Sequence, residues 1–359
     1  CRAGARAAAS IFPSESGGLG PTSDDVTREA VAGVVGVRLV MHEPSRLAIA
    51  ARYARQNRPL NPVVERHALV LEGASVWLNP VGLAPGEEVA FRGQHIFLMP
   101  GPPHEFASLL AGSLAPRLQQ LVGHPPPLVR MCQVCGIGES DIVNKLAGDA
   151  FPGPGVEVAY CATIGRVEVR LWTDAARGAA LDRAVELLRE RLGANIYAES
   201  SELLEDVVAR LCQARGWRLA VAESCTGGLV CHRLTNVSGS SAHFPGGVIA
   251  YANDAKVRDL GVPPALLERE GAVSAAVAQA MAEGVRQRFG AELGLAVTGI
   301  AGPTGGTSAK PVGLVHIAVA DPSGVVAREF RFVGPRAIIK EWSAQMALDV
   351  ARRRLLETV

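Results

Sequence analysis

Trp217-Arg218-Leu219-Ala220-Val221-Ala222-Glu223-Ser224-Cys225-Thr226-Gly227-Gly228-Leu229-Val230 is the stretch whose reading decides the fold of this chain. The apolar run 218–222 predicts a buried strand, the paired glycines a turn, and the apolar residues beyond them a helix. Ser224 is thereby expected where the strand ends and the helix begins. In that position its hydroxyl is exposed, and the unpaired backbone N–H groups of residues 225–228 can stabilise an oxyanion or hold a phosphate. A plain helix cap by Ser224 or Thr226 explains the same pattern equally well.

A second loop, Leu295-Ala296-Val297-Thr298-Gly299-Ile300-Ala301-Gly302-Pro303-Thr304-Gly305-Gly306-Thr307, repeats the arrangement of strand, glycines and hydroxyls. Glycines let a backbone approach a ligand closely, and hydroxyls add donors. Either loop alone reads as a tight turn; two of them at strand ends define a ligand crevice in an α/β sheet. Between them, Gly246-Gly247-Val248-Ile249-Ala250-Tyr251-Ala252-Asn253-Asp254-Ala255-Lys256 reads as an apolar strand ending in Tyr, Asn and Lys. A serine hydroxyl is a weak nucleophile until a base takes its proton, and a desolvated lysine can do so. Lys256 is the candidate base, and Tyr251 a proton relay or substrate anchor. Read blandly, they are a surface lysine and a half-buried aromatic. His232, His243 and His316 fall in a helix pattern, a loop and a strand, so a Ser-His-Asp arrangement has no obvious placement.

Elsewhere, short Val-, Leu- and Ile-rich runs such as 293–297 and 314–320 alternate with helical spacing such as 276–289, which predicts an α/β protein. At 359 residues, 48% of them hydrophobic, there is material for two or three cores. The cluster Pro125-Pro126-Pro127 and the segment Ser200-Ser201-Glu202 divide the chain into expected units 1–125, 126–200 and 201–359. The middle unit reads as strand, helix, two strands, helix, strand, a small α/β sandwich of split βαβ type.

The 36 basic and 35 acidic residues are scattered and sum to +1, which points away from nucleic acid and anionic membranes and towards a small-molecule partner. No apolar run reaches the roughly 20 residues that span a bilayer. Seven cysteines, an odd set lying mostly in apolar segments, argue for a reducing cytoplasm rather than a secreted disulfide framework. Cys132 and Cys135 have zinc-like spacing, but no further pair completes four ligands. The opening Arg- and Ala-rich stretch 1–10 has the composition of a transit peptide; a secretory signal would need a stronger apolar centre, and a truncated start would need neither.

Taken together, these motifs closely resemble the CinA family, the competence/damage-inducible proteins whose C-terminal domain is a nicotinamide mononucleotide amidohydrolase. The resemblance runs through 222–228, 246–251 with Lys256, Gly271-Ala272-Val273-Ser274, 281–284, 297–303 and 310–313. It implies Ser224 as nucleophile, Lys256 as its base and Tyr251 as a catalytic or anchoring neighbour. It also implies that Thr226, Gly227, Gly228, Asn253, Thr298, Gly299, Ala301 and Gly302 bind the nucleotide. The implied reaction hydrolyses the carboxamide to nicotinic acid mononucleotide and ammonia, without a cofactor, through an acyl-enzyme or a serine-positioned water. Arg336 carries over as a phosphate ligand, although Pro335 replaces the family's acidic residue before it and Lys340 stands where the family often has Arg. The alternative is a nucleotide-binding or competence-related interaction protein without turnover; the pairing of Ser224 with Lys256 argues against it.

The first unit resembles the family's molybdopterin-binding-like domain through 17–29, 79–82, 84–86 and 100–105. Its loop of Gly17, Gly18 and Gly20, with Asp24, Asp25 and Glu105, could bind a phosphorylated ligand and a divalent metal; in relatives the domain is associated with ADP-ribose pyrophosphatase activity. A phosphate loop of this kind should follow a buried strand, yet Pro13, Ser14 and Ser16 stand where strand residues belong. The expectation is therefore a truncated start and an incomplete, catalytically impaired first unit, with its folding left open. Homo-oligomerisation is left open, since apolar surface exposed by truncation would promote it.

Overall fold

Leu219–Glu223 (β1) is buried at every position, as a strand covered by helices on both faces must be. In the computed structural model, which describes residues 17–123, 125–148 and 150–357, this strand is an interior strand of a five-stranded sheet. Residues 1–16, and the expectations placed on them, lie outside the described residues. β1 pairs in parallel with Gly246–Ile249 (β2) on one side and Leu293–Gly299 (β3) on the other. Leu314–Asp321 (β4) and Gly324–Arg331 (β5) continue the sheet antiparallel beyond β3, giving the order β2-β1-β3-β4-β5. The helices of this segment are Leu204–Arg215 (α1), Leu229–Thr235 (α2), Asn253–Leu260 (α3), Pro264–Glu270 (α4), Ala275–Phe289 (α5) and Arg336–Glu357 (α6).

The period-two alternation of the strands sorts their side chains into two cores. Leu219, Val221, Leu295, Val297 and Ile317 pack with Val208 of α1 and Leu348 of α6. Ala220, Ala222, Ala296 and Ala318 face Val277, Met281 and Val285 of α5. These small side chains let α5 lie close against the sheet, so close that a Cβ on Gly294 would overlap the Ala282 carbonyl oxygen.

Two compact units divide the chain, residues 1–126 and 127–359. Within the second, Leu128–Cys135 lies between Arg166–Thr173 and Ile196–Ala198 in an antiparallel four-stranded sheet completed by Glu157–Thr163. With helices Glu139–Leu146 and Gly178–Leu192, the element order is that of the expected split βαβ sandwich. The break near residue 200 separates two sheets and not two bodies, because Cys135, Tyr197 and Ala198 join the core around α6. Arg352 of α6, held by the buried Asp349, also donates to the Ala194 carbonyl at 2.7 Å. Cys132 and Cys135 sit three residues apart on one strand, so their side chains enter different cores, which explains why they form no ligand pair.

In the first unit, Leu39–Met41 pairs with Leu69–Leu71, and Ser75–Trp77, Gly86–Phe91 and Gln94–Leu98 form an antiparallel sheet. A buried ion pair, Arg28 to Glu87 at 2.6 Å, anchors its interior. Arg28 also donates to the Leu19 carbonyl, and Thr27 Oγ1 to that of Gly17, which fixes the glycine loop.

Candidate active site

The three parallel strands β2, β1 and β3 end at one edge of the sheet, and the chemistry-bearing residues collect there. Ser224 follows β1 directly, and its N–H donates to Val297 O at 2.9 Å, extending the ladder to β3 by one residue. The chain leaving β2 turns at Ala250 and enters α3, whose first turn carries Lys256. Lys256 is only 1% exposed. Its Nζ donates to Ala250 O at 2.8 Å and Tyr251 O at 3.3 Å, and lies 3.2 Å from Ser224 Oγ. Burial depresses its pKa below the ordinary 10.5, with the nearby Cys225 thiol opposing part of the shift. In the neutral amine, two N–H bonds satisfy the two carbonyls and the remaining lone pair is left for the serine hydroxyl. That is the arrangement a general base requires.

Tyr251 is 58% exposed, and its hydroxyl accepts from Arg336 Nη2 at 2.6 Å. Arg336 Nη1 donates to Gly302 O at 2.9 Å, so this first residue of α6 ties the end of β2 to the loop after β3. One turn further on, Lys340 reaches over the Ser224 turn: a Cβ on Gly227 would stand 3.6 Å from its Nζ. Thr226 is fully buried with its Oγ1 unpartnered, whereas Asn253 is exposed at the start of α3.

One expectation is corrected here. Helix α2 begins at Leu229, not at Ser224, and of the N–H groups at 225–228 expected to be free for an anion, those of Gly227 and Gly228 are taken. The buried carboxylate of Glu223 accepts from Gly228 N at 2.9 Å, Val230 N at 3.2 Å and Cys231 N at 2.8 Å, and the Gly227 N–H closes on Ser224 O. Thr298 is buried, and its hydroxyl donates to Ala272 O at 2.8 Å, so its proton braces the 271–274 loop and the oxygen is left as an acceptor. Gly299 and Ala301 line the same strand end, with Ala301 buried. Glu223 was missed because an acid inside an apolar strand reads as a strand terminus; its only signal was a carboxylate placed just before a helix start.

Residues 201–355 match the CinA C-terminal domain, 129–198 the damage-inducible protein CinA KH domain, and 15–120 a probable molybdopterin binding domain. A CinA-like protein of Geobacter sulfurreducens is 42% identical over 346 residues, covering 95% of this chain and 84% of the relative. The chain belongs to the CinA family. A putative competence-damage inducible protein of Moorella thermoacetica is also 42% identical, over 345 residues, covering 95% of this chain and 83% of its own length. Among solved structures, a competence/damage inducible protein of Agrobacterium tumefaciens is 40% identical and covers 42% of this chain and 96% of its own, with a TM-score of 0.40.

In the molybdopterin-binding-type domain of this CinA chain, Gly17, Gly18, Gly20, Asp25, His67 and Glu105 line a cleft of about 280 Å³. The expected metal set is not assembled there. Thr22 donates to Asp25 Oδ2 through its N–H at 3.0 Å, and its hydroxyl lies against both Asp25 and Asp24. Glu105 accepts from Asn79 Nδ2 at 2.7 Å, and Asp24 lies outside the cleft. Among the described residues no group of three or more His, Cys, Asp or Glu could hold a metal ion, and no helix is long and apolar enough to cross a membrane.

Proposed function

We propose that this CinA-family chain hydrolyses the carboxamide of nicotinamide mononucleotide to nicotinic acid mononucleotide and ammonia. The observation that carries the reading is the buried Lys256 Nζ set 3.2 Å from Ser224 Oγ with no acid among its partners. A lysine so placed is a base at a pH where an exposed one is an acid. As Ser224 Oγ bonds to the carboxamide carbon, Lys256 takes the hydroxyl proton. It returns that proton to the departing nitrogen as the C–N bond breaks, releasing ammonia and leaving an ester on Ser224. Water then attacks the ester, Lys256 removing its proton and handing it back to Ser224 Oγ, which frees the acid product.

The substrate phosphate falls to Arg336 and to Lys340, which makes no hydrogen bond or ion pair among the described residues, and Tyr251 is held at the mouth by Arg336. The partner in this reading is a small nucleotide in the cytoplasm. The first domain is assigned no metal-dependent pyrophosphatase chemistry, because Asp24 and Asp25 are turned onto Thr22. Metal-dependent hydrolysis of ADP-ribose by the purified chain would contradict that part. For the main reading, ammonia release is compared between nicotinamide mononucleotide and nicotinamide riboside. Release from the mononucleotide, with a KM at least tenfold below that for the riboside, is expected; no release from the mononucleotide refutes the reading.

A further inference from the structure

Glu223 is a fully buried carboxylate that forms no ion pair among the described residues. Burying an acid without a counter-ion is costly unless several donors satisfy it. Its donors are the backbone N–H groups of Gly228, Val230 and Cys231, at 2.9, 3.2 and 2.8 Å. These are the groups a helix start leaves unpaired, and they carry the positive end of its dipole. The cap therefore comes from the strand before the turn and not from a residue inside it.

The turn 224–228 is consequently tied at both ends. At its start, Ser224 N–H is bonded to Val297 O, and Glu223 O accepts from Ala250 N at 2.8 Å. At its end, the Glu223 side chain holds Gly228 and the helix beyond. Gly227 and Gly228, at φ of +61° and +97°, supply the left-handed backbone that closes so short a path. Nothing in this clamp depends on a bound ligand.

We propose that Glu223 is a positioning residue for Ser224, its carboxylate fixing the turn that keeps Ser224 Oγ against Lys256 Nζ. The proposal rests on the reading of Ser224 as nucleophile. A nucleophile displaced by about 1 Å loses on the order of a hundredfold in rate, so the clamp acts on the chemical step more than on substrate binding. A second consequence concerns the thiols on the same turn. Burial first, and the Glu223 charge after it, push the Cys225 thiol up to about 12, so the residue next to the serine stays protonated and does not compete with it. The Cys231 thiol is raised by the same two causes.

The test uses the full chain and a fluorophosphonate probe, which reports serine nucleophilicity whatever the natural substrate. Labelling rates are measured for the wild type, Ser224→Ala and Glu223→Gln, alongside kcat and KM for nicotinamide mononucleotide. The glutamine keeps the size but turns an NH2 group towards the helix N–H groups. Labelling and kcat at least tenfold lower in Glu223→Gln, with KM within threefold and the same midpoint in the pH profile, supports the proposal. Labelling within twofold of the wild type overturns it and leaves the Ser224 reading intact. A wild type that is not labelled at Ser224 overturns both. If Glu223→Gln does not fold, amide exchange in the wild type decides. Gly228, Val230 and Cys231 N–H are expected to be strongly protected, and exchange at unprotected rates overturns the clamp.

Discussion

Replacing Lys256 with methionine separates the chemistry of this site from its stability. The side chain has similar length and loses only the amine, which in the wild type bonds Ala250 O, Tyr251 O and Ser224 Oγ. Leaving two carbonyls without a donor costs about 1–3 kcal/mol each. Against that, a thioether has no desolvation penalty, and the depressed pKa shows that the site disfavours the charged amine. The two effects offset to within about 2 kcal/mol, a change in Tm of less than about 8 °C for a unit of this size. Loss of the base is different in scale. Removing a general base lowers the rate by about 10²–10⁴, or roughly 3–5 kcal/mol of barrier. The assay is steady-state ammonia release beside calorimetry. The expected outcome is kcat at least a hundredfold lower, KM within a few-fold and Tm little changed. A variant that stays folded and keeps more than about a tenth of kcat would refute the role of Lys256. The pH dependence follows with its sign. Between its depressed native pKa and 10.5, Lys256 is deprotonated in the folded chain and protonated in the unfolded one. The unfolded state then binds more protons, so this group makes stability rise with pH across that interval. Activity rises as pH passes through the depressed native pKa, where the neutral base forms, and levels off above it; Lys256→Met should remove both contributions.

Tyr251→Phe deletes the acceptor for Arg336 while leaving an exposed ring, so KM is expected to rise about fivefold with Tm unchanged; an unchanged KM would show that the contact does not serve the substrate. Gly294→Ala forces a methyl group against the Ala282 carbonyl on α5 and should cost about 1–3 kcal/mol or more in urea unfolding, whereas a neutral effect would mean that α5 is free to shift.

Much of this arrangement was legible before any coordinates, for identifiable reasons. The run 219–222 is apolar at every position because β1 is covered on both faces, and that pattern marks an interior parallel strand. The glycines after it mark the turn, so Ser224 could be placed at the sheet edge. Lys256 was named as a base, but its burial was not readable, because a lysine in a helix start looks the same in sequence whether its Nζ meets water or two carbonyls. The helix start itself was misplaced by several residues. Ser224 has the side chain of a cap, yet the capping groups come from Glu223, a long-range use of a short-range signal. That the Thr298 hydroxyl donates to Ala272 O depends on the approach of the 271–274 loop, which its own neighbours in sequence do not announce. The metal expectation in the first domain rested on acids close together in sequence; Asp24 and Asp25 both fold onto Thr22, which no spacing rule announces.

The most direct test of the account is product stoichiometry. The purified chain and its Ser224→Ala variant are incubated with nicotinamide mononucleotide, and ammonia and nicotinic acid mononucleotide are quantified together. The account predicts equal molar amounts of both from the wild type and at least a thousandfold less from the folded variant, since without Oγ the lysine has no hydroxyl to activate. Nicotinic acid mononucleotide formed at comparable rates by both proteins would contradict it.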